Sequence, residues 1–231
     1  MHKENKTWLE RQVSLIGENN TDKLISSSVM IFGLGGVGGY VAEALARCGI
    51  GKIVLVDFDT VSLSNINRQI IADTSTVGMK KTFVMAQRIL RINPECKVIE
   101  KDVFVNTDNV TDIILSEKTD FVVDAVDNVT AKLGIICCCK KNGIKVISCM
   151  GTGNKTDVCR FKISDISKTN VCPLARVMRR ELKARDVYDV PVLFSDEEPV
   201  VKGNDVPASI SFVPACAGIM IAGYVVNNLI K

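Results

Sequence analysis

The sequence lacks the features that mark several classes of protein and of binding site. No two of its cysteines form a CxxC pair, so the spacing that a tetrahedral cysteine zinc site requires is missing, and we expect no structural zinc. The amino terminus has no apolar signal segment, which together with nine cysteines predicts a reducing compartment and a cytoplasmic location. The single histidine, His2, lies in the polar amino-terminal tail, and we assign it no role.

A strong excess of one charge is also missing. The formal net charge of +3 gives no global reason to expect nucleic-acid binding, although charge can still be unevenly distributed along the chain. Hydrophobic residues make up 47% and charged residues 24%, which is typical of a globular chain and not of a disordered one. A length of 231 residues suits one large α/β domain, so we expect residues 1–231 to form a single domain.

Apolar runs of strand length alternate with helical patterns through the first two thirds of the chain. The predicted strands cover residues 29–32, 52–57, 97–101, 120–126 and 145–149, and the predicted helices cover residues 40–48, 79–92, 107–116 and 130–142. This alternation predicts an α/β fold with a Rossmann-like, doubly wound and mainly parallel sheet. The pattern weakens over residues 152–206, which we interpret as an inserted loop region because ordinary connections are much shorter.

The last long segment, residues 206–230, carries no charge. A membrane-spanning helix needs roughly 20 apolar residues, so the segment is long enough to be one. Two prolines and two asparagines interrupt it, at Pro207, Pro214, Asn227 and Asn228. We therefore favour a buried strand followed by a helix, and we keep membrane association as the weaker alternative.

A glycine-rich motif, GLGGVG, follows the first predicted strand and opens the first predicted helix of this alternation. Its glycines are Gly33, Gly35, Gly36 and Gly38, and Asp57 ends the next strand at about the expected distance. Glycines allow the backbone to approach a phosphate, and the helix amino terminus offers unpaired N–H groups to it. Asp57 can accept hydrogen bonds from ribose hydroxyls, so the motif predicts a nucleotide site.

The motif alone favours an NAD-dependent oxidoreductase, but the residues that follow it favour ATP. The run DFDTVSLSNINRQ over residues 57–69, together with Lys81, supplies two cations and several amides close to the expected phosphates. A nicotinamide site does not require such a polar set. An NAD-dependent oxidoreductase and a nucleotide-binding protein without catalytic activity therefore stay as remote alternatives.

Five motifs in order carry a resemblance to a known family. They are GLGGVG at 33–38, DFDTVSLSNINRQ at 57–69, the segment 78–81, DAVDN at 124–128, and Phe212-Val213-Pro214 before a helix rich in small residues. Over residues 8–150 and 209–231 the chain resembles the ubiquitin-activating-enzyme-like superfamily, which includes the ThiF, MoeB and HesA proteins. The resemblance implies an enzyme that uses ATP and Mg²⁺ to activate a carboxylate as an acyl-adenylate.

The resemblance also implies a role for individual residues. Asp57, with Asp59 beside it, would hold the ribose, Asp127 would bind Mg²⁺, and Arg11 would reach the ATP of a neighbouring subunit, which implies a homodimer. The residues that would contact the triphosphate are Asn65, Arg68, Gln69 and Lys81. Of all these residues, Arg68, Lys81, Asp127 and Arg11 are the expected catalytic set. An ionised carboxylate needs no general base to attack phosphorus, so the site needs cations that offset repulsion and stabilise pyrophosphate.

Shorter motifs place the chain in one branch of this superfamily. The segments AEALAR at 42–47, INPEC at 92–96 and ISDISK at 163–168 resemble the tRNA threonylcarbamoyladenosine dehydratases. That branch implies ATP-dependent dehydration, a cyclisation, of threonylcarbamoyladenosine in tRNA. The alternative is an adenylating enzyme for a ubiquitin-like sulfur-carrier protein of molybdopterin or thiamine synthesis, although the CxxC pairs common there are absent. A sulfur-transfer protein as a partner is left open.

The inserted region 152–206 contains a basic stretch that suits a tRNA substrate. The stretch from residue 160 to residue 185 contains eight basic residues and two acidic ones. Four of the basic residues recur at helical spacing, and we predict that they form one face that holds tRNA phosphates: Arg176, Arg179, Arg180 and Lys183. A merely solvated helix is the alternative interpretation.

Overall fold

The computed structural model describes residues 7–201 and 207–231. Its sheet has seven strands in the order β3-β2-β1-β4-β5-β7-β6, and all neighbours are parallel except the antiparallel pair of β6 and β7. The strands are β1 Ser28–Phe32, β2 Lys52–Val56, β3 Lys97–Lys101, β4 Phe121–Asp124, β5 Lys145–Cys149, β6 Phe161–Asp165 and β7 Pro191–Ser195. The helices are α1 Glu10–Ile16, α2 Glu18–Ser26, α3 Gly38–Arg47, α4 Lys81–Ile92, α5 Val110–Leu115, α6 Val129–Lys141, α7 Pro173–Lys183 and α8 Phe212–Ile230.

Strand β1 shows why the sheet is doubly wound. All five of its residues are buried, because helices cover both faces of a parallel sheet. Val29 and Ile31 belong to the core formed with α3, α4 and α8, whereas Met30 and Phe32 belong to the core formed with α5 and α6. Side chains alternate between the two faces of a strand, so one apolar run serves both cores.

The order of the strands creates a switch point between β1 and β4. The chain runs from β1 outward through β2 and β3, and then returns to place β4 on the other side of β1. In open α/β sheets, ligands bind beyond the carboxyl ends of the strands at such a point. The glycine-rich segment after β1 and the DAVDN segment after β4 therefore meet at the position where a ligand is expected.

The predicted α/β class is confirmed, and the five predicted strands and four predicted helices of the first 150 residues are present. The inserted region is more regular than its sequence pattern indicated, because it contributes β6, α7 and β7, and β7 pairs with β5. Residues 202–206 of that region lie outside the described residues. The two added strands extend the sheet beyond β5, which explains how a long connection packs in a compact domain.

The strand expected at the start of the carboxyl-terminal segment is wrong for the described residues 207–211, which form no strand. Asn154 takes up both polar groups of Ala208 instead, since its N–H donates to the Ala208 carbonyl and its Oδ1 accepts from the Ala208 N–H, each at 2.7 Å. Pro207 has no N–H to offer to a strand ladder. The segment is therefore held by Asn154, through one backbone and one side-chain hydrogen bond across 54 residues of sequence.

Helix α8 is, within the described ranges, the one helix that is long and apolar enough to cross a membrane by length and composition. It packs against α2, α3 and β5. Gly218 allows close contact with α3, because a Cβ there would lie 2.5 Å from the Val37 carbonyl oxygen. The helix thus covers one face of the sheet beside the glycine-rich segment.

Candidate active site

The glycine-rich segment leaves open space at one of its glycines. Gly33 has a φ of 84°, and a Cβ there would lie 2.7 Å from the Ala125 carbonyl oxygen, so this position requires glycine. A Cβ on Gly38 would collide with the Gly33 carbonyl oxygen. By contrast, a Cβ on Gly35 would meet only Gln69 Nε2, at 3.8 Å. The packing of the fold therefore explains Gly33 and Gly38, whereas Gly35 leaves room for another group to approach the backbone.

Asp57 joins the glycine-rich segment to the polar run. It is buried at the end of β2, where its Oδ2 accepts a hydrogen bond from the Leu34 N–H at 2.6 Å. Its Oδ1 accepts a hydrogen bond from the Asp59 N–H at 2.8 Å. Each carboxylate oxygen has a second lone pair, which can accept a hydrogen bond from a hydroxyl. The structure therefore fixes Asp57 in place and leaves it acceptor capacity.

Gln69 carries an unsatisfied polar atom. Its side chain is buried, and its Oε1 is one of two buried side-chain oxygen or nitrogen atoms that lack a hydrogen-bond partner among the described residues. Leaving such an acceptor unpaired costs about 1–3 kcal/mol, so Oε1 favours a hydrogen-bond donor that the described residues do not supply. Asn65, also buried, accepts a hydrogen bond from the Ser62 N–H and thereby shapes the turn that leads to Gln69.

Two cations lie on the elements that follow Asp57 and Asn65. Lys81 is the first residue of α4, and its Nζ lies 2.8 Å from Asp59 Oδ2. The side chain of Lys81 is 6% exposed and that of Asp59 is 46% exposed, so the acid is accessible to solvent while the ammonium group lies beneath it. Arg68 donates from Nη1 to the Ser64 carbonyl at 2.7 Å and to Asn67 Oδ1 at 3.0 Å.

The two acids of the DAVDN segment have different surroundings. Asp124 is fully buried and forms an ion pair with the fully buried Lys132, at 3.0 Å. Asp127 is exposed, and no hydrogen bond or ion pair engages its carboxylate within the described part of the chain. Asp127 is therefore the acid that is free to bind a ligand.

The described residues contain no group of three or more His, Cys, Asp or Glu side chains that could hold a metal ion. Magnesium does not need such a group, because it is often bound through one or two carboxylates together with substrate phosphates. The free Asp127 carboxylate fits that mode of binding. Asp59, whose carboxylate forms an ion pair with Lys81, is another acid at the same edge of the sheet.

Sequence reasoning missed an aromatic pair at this edge. Phe58 and Phe104 follow the carboxyl ends of β2 and β3, and their ring centroids lie 4.8 Å apart in an edge-to-face arrangement. Phe58 is 47% exposed and Phe104 is 51% exposed, although large apolar side chains are usually buried. A phenylalanine directly after Asp57 was the signal that could have identified this pair.

The remaining predicted site residues lie away from the glycine-rich segment. Arg11 is exposed on α1, and its neighbour Gln12 donates to the Cys48 carbonyl at the far end of α3. On α7, Arg179 donates from Nη1 to the carbonyl and the hydroxyl of Thr169, at 2.7 and 2.6 Å, so it has internal partners. The exposed basic residues of that helix are Arg176, Arg180 and Lys183.

Several thiols are unsuited to nucleophilic chemistry. Burial raises the pKa of Cys149 to about 12, although the Lys132 ammonium opposes the shift. Burial likewise raises the pKa of Cys96 to about 11 and raises the pKa of Cys139. Because the thiolate is the reactive form, these three cysteines are inert near neutral pH.

Comparison with known proteins gives consistent matches across this architecture. The ThiF family matches residues 9–231. A tRNA threonylcarbamoyladenosine dehydratase of Bacillus subtilis is 42% identical over 234 residues, which cover 94% of this chain and 92% of that relative. The crystal structure of the Escherichia coli tRNA N6-threonylcarbamoyladenosine dehydratase TcdA in complex with ATP superposes with a TM-score of 0.91 at 34% identity, covering 97% of this chain and 94% of that one. A maize adenylyltransferase and sulfurtransferase, MOCS3-1, is 37% identical over 53% of this chain and 26% of its own length.

Proposed function

The chain belongs to the ThiF family, and we propose from this that it uses ATP to dehydrate threonylcarbamoyladenosine in tRNA. The observation that carries the proposal is the 42% identity to a named dehydratase over 94% of the chain. The alternative, activation of a sulfur-carrier protein, is less well supported, because the maize relative matches only 53% of the chain. An NAD-dependent oxidoreductase has no support in these comparisons.

The proposed reaction has two steps, and the site residues act mainly in the first. The carboxylate of the threonylcarbamoyl group attacks the α-phosphorus of ATP, and pyrophosphate leaves. The carbamoyl oxygen then attacks the activated carbonyl carbon, a carbamoyl N–H proton is lost, and AMP leaves with one oxygen of the former carboxylate. The nucleoside thereby loses one molecule of water overall. The second attack is intramolecular and gains from proximity, so no nucleophile from the protein is needed.

In the proposed ATP site, each of the residues at the switch point would contact one part of the nucleotide. The ribose hydroxyls would donate to Asp57, which the glycine-rich segment already holds by the Leu34 N–H. The phosphates would lie over Gly35, where there is room beside the backbone, and Gln69 Nε2, which faces that space, could donate to them. Arg68 and Lys81 would exchange their present partners for phosphate oxygens and so stabilise the charge on pyrophosphate.

The exposed aromatic pair fits the adenine ring. The base would extend from the ribose at Asp57 toward the carboxyl ends of β2 and β3, where Phe58 and Phe104 lie. Aromatic side chains stack on nucleobases with about 1–3 kcal/mol per base. A bound base would also bury apolar surface that is exposed without it.

Magnesium would be held by Asp127 together with the phosphates, and when bound it would neutralise charge on them and orient the leaving group. Asp127 is suited to this role because its carboxylate is exposed and has no other described partner. No structural zinc is part of the proposal.

The position of Arg11 supports a composite site formed by two subunits. Its neighbour Gln12 contacts Cys48, at the opposite end of α3 from the glycine-rich segment. Helix α3 has ten residues and is therefore about 15 Å long, which is more than the reach of an arginine side chain. This position of α1 supports a contact of Arg11 with a partner's nucleotide more than with that of its own chain. We propose a homodimer in which Arg11 serves the site of the partner.

The tRNA is proposed to bind along α7 in the inserted region. Arg176, Arg180 and Lys183 recur at a spacing of three and four residues, which places them on one side of the helix. Arg180 lies 2.8 Å from Glu181, an exposed contact that phosphate groups can replace. We propose a cytoplasmic location, where tRNA is available, and we leave a sulfur-transfer partner as a secondary proposal.

The test is mass spectrometry of nucleosides from tRNA incubated with the protein, ATP and Mg²⁺. The expected product is lighter than threonylcarbamoyladenosine by one molecule of water, and it should require ATP and release AMP. An unchanged nucleoside would refute the proposed substrate. If ATP binds and a small protein ending in Gly-Gly is adenylated instead, the sulfur-carrier alternative would be correct.

A further inference from the structure

A buried ion pair includes Asp124, which lies three residues before the proposed magnesium ligand Asp127. The side chains of Lys132 and Asp124 are both 0% exposed, and Lys132 Nζ lies 3.0 Å from Asp124 Oδ2. The Ser148 hydroxyl donates to the same oxygen at 2.5 Å, and Lys132 Nζ lies 3.3 Å from Ser148 Oγ. The three side chains thus join α6, β4 and β5 through one carboxylate.

The other oxygen of Asp124 acts on the turn that follows β4. Its Oδ1 accepts a hydrogen bond from the Val126 N–H at 3.2 Å, one residue before Asp127. At the other end of the turn, Asn128 caps α6 by accepting from the Ala131 N–H, and its carbonyl accepts from the Lys132 N–H. The turn that carries Asp127 is therefore fixed at both ends, and Lys132 takes part at both.

The same turn is packed against the glycine-rich segment. The Ala125 N–H donates to the Phe32 carbonyl at 2.8 Å, and the Ala125 carbonyl occupies the space where a side chain on Gly33 would lie. Any shift of the turn would therefore move Asp127 relative to the backbone that we assign to the phosphates. The hydrogen bond from the Val126 N–H to Asp124 Oδ1 opposes such a shift of the turn.

Stability alone is a poor explanation for this ion pair. Two buried charges lose their hydration, and apolar side chains of similar volume in the same place are often equally stabilising or more so. The charged pair orients the Asp124 carboxylate. The Lys132 ammonium and the Ser148 hydroxyl both bind Oδ2, so Oδ1 is left to accept a hydrogen bond from the backbone of the turn. Such partners behind a metal ligand typically change metal affinity by about 10- to 100-fold when they are lost.

We propose that Lys132 is a positioning residue, which acts through Asp124 to fix the turn over residues 125–128 and so the place where Asp127 meets Mg²⁺ and the ATP phosphates. This inference rests on the proposed use of Mg²⁺ and ATP, and it does not depend on the identity of the RNA substrate. Neither Lys132 nor Asp124 can touch the nucleotide, since both side chains are fully buried.

The test uses the variant Asp124→Asn/Lys132→Met, which removes both charges together and leaves neither unpaired. Calorimetry on the full chain would compare the binding of AMP, of ATP in EDTA, and of ATP with Mg²⁺. We expect the affinity for AMP to stay within about twofold of the original, and the gain in ATP affinity that Mg²⁺ provides to fall about tenfold or more. In turnover assays the apparent KM for Mg²⁺ should rise more than kcat falls.

A double-mutant cycle with Asp127→Ala tests whether Lys132 acts through Asp127. If Lys132 acts through Asp127, the charge-free pair should have no further effect on the magnesium response in the Asp127→Ala background. Independent effects of the two changes would overturn the proposal, and so would an unchanged magnesium response in Asp124→Asn/Lys132→Met. An equal loss of AMP and ATP binding would also overturn it, because that result indicates a collapsed site.

Two further variants supply an independent perturbation of Asp124 and a matched control. Ser148→Ala removes one donor to Asp124 and retains the ion pair, so it should also lower the gain in ATP affinity that Mg²⁺ provides. This variant is informative even if Asp124→Asn/Lys132→Met fails to fold, and an unchanged gain would contradict the proposal. Glu43→Gln/Arg88→Met removes a different, partly buried ion pair between α3 and α4, and it should lower stability without changing the magnesium response. If the unmodified chain bound ATP equally well with and without Mg²⁺, the magnesium part of the proposed function would fail, and Lys132 would lose its assigned role with it.

Discussion

Replacing Gly35 with alanine would separate the needs of the fold from the needs of the nucleotide. A Cβ at this position meets only Gln69 Nε2, at 3.8 Å, which is an ordinary van der Waals contact. Its φ is not in the left-handed region, so alanine can adopt the same backbone. Such a substitution restricts the unfolded chain and stabilises the fold by about 0.4–1 kcal/mol. The free protein should therefore melt at the same temperature or slightly higher.

The effect on ATP should have the opposite sign. The added methyl group would occupy the space that we assign to the phosphates and would push them away from the backbone N–H groups. A hydrogen bond to a charged group contributes about 1.5–3 kcal/mol, so the loss of one should weaken ATP binding by about 10- to 100-fold. Calorimetric titration with ATP and Mg²⁺ measures this directly.

Two other glycines supply matched controls for the Gly35→Ala variant. Gly223 lies on the exposed side of α8 with nothing near its added Cβ, so Gly223→Ala should stabilise the helix and leave ATP binding unchanged. In Gly38→Ala the Cβ would collide with the Gly33 carbonyl, so the fold itself should be destabilised. If Gly35→Ala kept its stability and bound ATP within twofold of the original chain, the phosphates would not lie over Gly35.

Three other predictions concern the dimer, the RNA surface and an acidic side chain. Arg11→Ala and Asp127→Ala should each be inactive, yet their random mixed dimers should recover roughly a quarter of the activity, because each mixed dimer has one intact composite site; no recovery would place Arg11 in its own site. Arg176→Glu/Arg180→Glu should weaken tRNA binding and reduce the dependence of log affinity on log salt by about two, and an unchanged slope would exclude these residues from phosphate contact. The pKa of the Asp196 carboxyl is held at about 2 by hydrogen bonds from two neighbouring cations, so its contribution to stability is present above the ordinary value of 3.8 and is lost as pH falls through about 2; a carbon-13 NMR titration with a midpoint near 3.8 would contradict this.

The sequence was informative where a local rule sets the structure. A glycine-rich segment between a strand and a helix has few conformations, and Gly33 at a φ of 84° illustrates why the motif could be placed with accuracy. The fully apolar β1 likewise predicts burial on both faces. The burial of Asp124 could not be read from a local pattern, because it depends on Lys132, which is eight residues from Asp124 and next to it in space.

The inserted region was harder to predict, because its order depends on contacts between distant segments. Strand β6 has a mixed burial pattern and lies at the edge of the sheet, where it pairs only with β7 among the described strands. Glu197 is buried there, accepting hydrogen bonds from the N–H groups of Thr156 and Asp157 about 40 residues away. No local pattern identifies such a partner. The basic residues of α7 were visible in the sequence, but the internal contact of Arg179 with Thr169 was not.

The placement of these two parts suggests how a nucleotide-binding sheet acquires a particular substrate. The residues at the switch point are proposed to contact ribose, phosphate and a carboxylate, and nothing in that chemistry distinguishes an RNA side chain from the end of a protein. Discrimination must come from outside it, and the inserted region is the element beside β5 that carries an exposed basic helix. Because the second chemical step is intramolecular, the enzyme needs to hold the RNA only long enough for the first. If the basic residues of α7 hold the tRNA as proposed, their small number would suit rapid release at physiological salt.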